Sequence, residues 1–302
     1  VWTDTALFTQ RFVGQPFTFA FAQVGTNCGL VGQNACVEVD GAAYWMSENG
    51  FFRYGGKLES LPCLVEDHVY DDINLASGNQ MVSAGLNNLF GEIIWFYPSS
   101  TSDVVNKMVA YNYFDSSIKR PVWTVGTLAR TMWRDSAVFG KPHALEYDAS
   151  TDTSFDVVGN TEGRTAYYEH ETGTDQNKNG TITAVLSNIS SGDYDITQRT
   201  LRGLGGVADF RGDGEHIMKI RRFVPDFISQ TGTTRITLQL KNYPNSTQGS
   251  SPLGPFDITT STTKVDTRAR ARAISLKIEN TAVDQSWKLG TFRLDVQPDG
   301  RR

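Results

Sequence analysis

Apolar and polar positions alternate in short runs from the start of the chain, and Gly, Asn, Asp and Pro separate the runs. That texture predicts short β-strands joined by turns. No stretch sustains the helical period, although Thr101–Lys107 is long enough for a single turn. GQNACVEVDGAAYWM (32–46) predicts a hairpin: CVEV, an Asp40-Gly41 turn, then AAYWM. Asp-Gly between alternating strands is a strong local hairpin signal because both turn residues need positive φ.

A longer period lies over this pattern. VWTD opens at Val1, AYWMS sits at 43–47, EIIWFYPS at 92–99 and SAVFGKP at 136–142. Their aromatic centres recur about every 40–50 residues, the repeat length of propeller blades. Each of the last three is followed by a second strand: FFRYGG at 51–56, MVAYNYF at 108–114 and HALEYD at 143–148. The first strand of each pair is apolar on both faces, which suits the middle of a stack. The second alternates, which suits a solvated outer strand. The reading is an all-β chain with β-propeller-type repeats over 1–163. A β-sandwich with coincident spacing is the alternative. After Gly163 the strands lengthen and keep alternating, so 164–302 reads as a β-rich C-terminal platform domain. Val1 itself looks like the inside of a strand, and the expectation is that residues precede it or that the chain was processed.

The 302 residues carry a net charge of -5, so a nucleic-acid coat is excluded and any basic surface must be local. No apolar run reaches the ~20 residues that span a bilayer as a helix. Three cysteines, Cys28, Cys36 and Cys63, make no CxxC pair. They read as buried thiols, with a Cys28–Cys36 bridge left open.

Few motifs carry chemistry. Asp175, Asn177 and Asn179 before Gly180 match the first half of a calcium loop, but its twelfth position is Leu186. A polar turn is the better reading, and no metal site is expected. Gly203–Ala208 spells GxGxxA without a following helical pattern, and Arg211-Gly212-Asp213 reads as a turn. His68, His143, His170 and His216 are scattered. Asp71-Asp72 and Glu169/Glu171 read as exposed acids, although paired carboxylates for glycoside cleavage are set in space rather than in sequence.

RARARAISL (268–276) is the most pointed feature. Without a bulge, Arg268, Arg270 and Arg272 share a strand face with Ile274, Leu276 and Ile278. On that parity the arginines prolong the core side, and a subunit interface is expected, where they meet carboxylates or aromatics of another chain. Snorkelling at the core edge and contact with DNA are the competing readings.

Several stretches together resemble a known family. They are AAYWMSENGFFRYGGKLESLPC (42–63), VYDDIN (69–74), YYEHETGTD (167–175), RRFVPDF (221–227) and the terminal RARARAISLKIEN…SWKLGTFRLDVQPDGRR. Their order and wording are similar to the tail nozzle (tail hub, or tail tubular B) proteins of short-tailed bacteriophages. Ala271, where a Gly is expected, and the short N-terminal half depart from the family pattern. The resemblance implies a propeller plus a β-rich platform, assembled as a sixfold homo-oligomeric ring below the portal adaptor. It implies a lumen that retains and conducts genomic DNA, attachment of tail fibres, spikes or a needle, and residence in the virion tail after assembly in the bacterial host cytoplasm. No reaction, catalytic residue or cofactor comes with it. An acidic balance fits DNA sliding without adhering. A tail-associated propeller glycosidase and a carbohydrate-binding propeller are the alternatives.

Overall fold

The computed structural model describes residues 1–117, 119–136, 140–148, 164–178, 180–196, 216–243 and 252–301. It is all-β, 56% strand and 4% helical, and built from several small antiparallel sheets. Two compact units divide it, Val1–Thr172 and Gly173–Arg302.

The first unit contains β1 (Ala6–Phe12), β2 (Phe19–Thr26), β3 (Cys36–Val39), β4 (Ala42–Ser47), β5 (Gly50–Tyr54) and β6 (Leu58–Leu61). Two short helices, α1 (Glu66–Tyr70) and α2 (Leu75–Gly78), follow. Then come β7 (Ser83–Asn87), β8 (Glu92–Tyr97), β9 (Lys107–Asn112), β10 (Trp123–Gly126), β11 (Met132–Arg134), β12 (His143–Asp148) and β13 (Arg164–Glu169). The sheets are consecutive meanders: β1-β2, β3-β4-β5-β6, β7-β8-β9-β10 and β11-β12-β13. Asp40 and Gly41 both take positive φ, 50° and 75°, and turn β3 into β4 as the sequence predicts.

The meanders stack in chain order, because their central strands are apolar on both faces. Trp45 points from β4 toward β1-β2 and packs with Leu7 and Cys28. Tyr44, Met46 and Phe51 leave the opposite face of that sheet and meet Ile93, Trp95 and Val109 of the next. Ile94, Phe96 and Ala110 leave its far face and meet Trp133 of β11. Among the described residues these sheets close into neither a barrel nor a propeller.

Three details depart from the sequence pattern. β5 and β9 are inner strands, since β6 and β10 cover their far edges. In the third repeat, 137–139 lie outside the described residues. There Trp133 of β11 supplies the aromatic that packs on the preceding sheet. β13 pairs along its length with β12, so residues 164–172 sit in the first unit.

The second unit holds β14 (Asp175–Lys178), β15 (Thr181–Ala184), β16 (Asn188–Ser190), β17 (His216–Val224), β18 (Phe227–Thr231) and β19 (Thr234–Lys241). It continues with β20 (Leu253–Ile258), β21 (Val265–Ala271), β22 (Ala273–Glu279), β23 (Ser286–Leu289) and β24 (Arg293–Arg301). Two sheets, β16-β22-β19-β20 and β21-β17-β24, bury a shared core of Phe223, Ile236, Leu238, Ile258 and Ile278. β14-β15 and β18-β23 are separate pairs. The chain passes from one large sheet to the other at a bend on Arg272.

Candidate functional site

That bend decides where the arginines point. Ala269 and Ala271 are buried and join Met218, Ile220 and Ile274 in one core cluster. Arg268 and Arg270 face solvent. After the bend the parity has slipped, and Ile274, Leu276 and Ile278 take the buried positions of β22. The expectation that the arginines share the core face of those three residues is therefore corrected: one extra residue at a sheet-switching corner reverses the assignment. Alanine suits the inward position, where Ala269 and Ala271 pack among Met218, Ile220, Ile274 and Leu240.

Arg270 forms an ion pair with Asp299 of β24. Arg272 is half-buried and sits over the Tyr243 ring, 5.8 Å from its centroid. Arg268 is exposed. The outer face of β21-β17-β24 also carries Lys219 and Arg221, both exposed in β17. Lys219 stands directly opposite Arg270 in the ladder, and on its other side opposite Gln297. The strand letters RARAR only half announce this cluster, because Lys219 and Arg221 join it from β17.

The calcium-like turn is a hairpin. β14 pairs with β15 from Asp175↔Ala184 to Lys178↔Thr181. Asp175 Oδ2 accepts the Asp284 N–H at 2.8 Å, and Asn177 Oδ1 accepts the Gly180 N–H at 2.9 Å. Those oxygens are engaged with backbone, and Asn179 lies outside the described residues. So do 203–208 and 211–213. Among the described residues no group of acids, histidines and cysteines could hold a metal. Cys28, Cys36 and Cys63 are free thiols. Burial pushes Cys36 and Cys63 up to about 11, so neither is a ready nucleophile. A cavity of about 680 Å³ in the second unit is lined mainly by aliphatic side chains such as Ile189, Met218, Leu276 and Leu294. It presents one carboxylate, Asp195, and no catalytic constellation.

Two constructions in the first unit escape a reading of the sequence. The first is a set of tryptophan latches. Trp45 Nε1 donates to the Cys28 carbonyl at 2.9 Å, Trp95 Nε1 to Ala35 at 3.1 Å and Trp133 Nε1 to Leu86 at 2.8 Å. In each case an indole from one meander satisfies a carbonyl in or beside the meander before it. Gly85 makes room for the last: a Cβ there would lie 2.5 Å from Trp133 Cδ1. The second is a buried cation. Arg130 is 3% exposed. It pairs with Glu146 at 2.9 Å and donates from Nε to His170 Nε2 at 2.9 Å. Its guanidinium lies 4.0 Å from the Tyr168 ring centroid. Burial, and then the adjacent Arg130 charge, lower His170 to about 4. His170 is thus neutral with Nε2 as acceptor, and the cluster ties the loop before β11 to β12 and β13.

A comparison with protein-family models finds no match, and a comparison with curated proteins finds none either.

Proposed function

We propose that the chain is a structural subunit of a short-tailed bacteriophage tail. In this reading its stacked meanders are consecutive blades of a propeller and its second unit is a platform. The subunits form a sixfold ring below the portal adaptor, conduct and retain genomic DNA, and anchor fibres, spikes or a needle. The protein then resides in the virion tail, is assembled in the bacterial host cytoplasm, and catalyses no reaction.

The observation that carries this reading is the latched stack. Four antiparallel sheets follow one another in chain order, three of them locked to the sheet before by an indole. It occurs in the same chain as the terminal RARAR…DGRR pattern on which the resemblance rests. Assembly has support of its own. Phe12 and Phe19 are cross-strand partners in the β1-β2 hairpin, and Phe21 follows on the same face. They are 74%, 51% and 60% exposed. An apolar stripe of that kind marks a surface that meets other protein.

Phe19→Ser with Phe21→Ser tests the assembly role. A folded protein that no longer enters particles is the expected result, and normal incorporation would remove this support. Release of sugar from host envelope by the isolated protein would move the assignment to a glycosidase.

A further inference from the structure

We infer that the outer face of the β21-β17-β24 sheet binds the phosphate backbone of duplex nucleic acid without reading sequence. The face presents Arg268 and Arg270 from β21 and Lys219 and Arg221 from β17, all exposed. The inward alanines fix that direction, because Ala269 and Ala271 are buried.

Three features separate this cluster from an ordinary solvated surface. First, Lys219 and Arg270 are direct cross-strand neighbours. Like charges in that position destabilise a sheet unless an anion lies over them. Second, several other cations of the unit are neutralised locally: Arg235 by Asp257, Lys241 by Asp193, Lys277 by Glu279, Arg293 by Asp226 and, on this same sheet, Arg222 by Asp295. Lys219, Arg221 and Arg268 have no carboxylate among the described residues, in a chain with an excess of acids. Third, Asp299 compensates Arg270 alone. The face also carries three carboxylates, Asp266 of β21 and Asp295 and Asp299 of β24; they pair with Lys264, Arg222 and Arg270, so that Lys219, Arg221 and Arg268 are the cations left in excess.

The ligand class follows from what accompanies the charges. Single strands are held by cations interleaved with aromatics on which bases stack. Here the outward residues beside the cations are Asp266, Asp295, Gln297, Pro298 and Asp299, and β21 and β24 contribute no ring to this face. Guanidinium and ammonium groups repeating every second residue, about 6.7 Å apart along a strand, suit a regular line of phosphates. A flat sheet face meets the phosphates before it meets base edges, so binding is expected to be independent of sequence. The inference shares its ligand with the function proposed above, but stands on the charges of one sheet face.

Fluorescence anisotropy of the whole protein with a labelled mixed-sequence DNA duplex, across a salt titration, tests it. Arg268→Ala/Arg270→Ala/Lys219→Ala is expected to weaken binding about tenfold or more and to reduce the log–log salt slope by about 2–3. Arg235→Ala/Lys241→Ala/Lys277→Ala, which removes the same charge from paired sites, is expected to change affinity by less than about threefold. If the first variant melts early, the single reversal Arg268→Glu replaces it, with the same direction expected. Equal loss in both triple variants, no loss in the first, or no binding by the unaltered protein overturns the inference. So does polyglutamate that displaces duplex at equal charge concentration, which would assign the face to an acidic protein. A protein that fails to bind duplex yet forms tail rings sinks this inference alone; one that binds duplex but is absent from tails sinks only the tail reading.

Discussion

At the scale of single residues, the buried hydrogen bonds and charges set the sharpest expectations. Trp95 is fully buried, and its indole satisfies the Ala35 carbonyl. Trp95→Phe keeps an aromatic ring but removes the indole donor and leaves the Ala35 carbonyl with the Met46 N–H alone, at 3.1 Å; it should cost about 0.5–1.5 kcal/mol in denaturant unfolding. Trp95→Ala adds a cavity and should cost about 3–5 kcal/mol. His170 gives a pH signature. Its folded value lies near 4, below the ordinary 6.5, so the unfolded chain takes up the proton first. Stability from this site is therefore undiminished above about pH 6.5 and falls as pH drops toward 4. His170→Gln keeps an acceptor for Arg130 and should flatten that part of the profile, read as the difference in melting temperature between the two proteins. Equal slopes would show that His170 does not titrate as its surroundings demand. None of this is visible in sequence, because Arg130, Glu146 and His170 meet only through the pairing of β12 with β13.

At the scale of elements, close approach and parity decide. Gly85 of β7 lets Trp133 lie flat against the strand. Gly85→Ala must push the indole off Leu86 and should destabilise by about 1–3 kcal/mol, seen as a lower unfolding midpoint. The two faces of β21 predict opposite outcomes for neighbouring substitutions. Arg268→Ala should stay within about 0.5 kcal/mol of the parent protein, since the side chain is solvated. Ala269→Glu buries an unpaired carboxyl and should be strongly destabilising by thermal melting. The alternation that predicts these strands is legible from the first reading, and so is the Asp40-Gly41 turn. The face of the arginines is not. The bend at Arg272 carries neither Gly nor Pro, and RARARAISL reads as one unbroken strand. Only the register of β21 on β17 and of β22 on β19 reveals the slip. Similarly, β5 and β9 alternate as outer strands would, yet β6 and β10 cover them, because a half-polar face can be solvated without its edge being free.

At the scale of the whole molecule, repetition is the legible part. Trp45 and Trp95 are found from their spacing, and both occupy the central strand of a four-stranded meander. The spacing cannot tell which carbonyl each indole meets, nor that Trp133 continues the series. The role proposed for this protein is that of one subunit of a ring on a phage tail axis. An averaged density map of the tail, with the protein labelled, tests it most directly. The account predicts six copies around the axis directly below the portal adaptor, enclosing a channel wide enough for duplex DNA. Density that places the label off the axis, or no label in the tail at all, would contradict it.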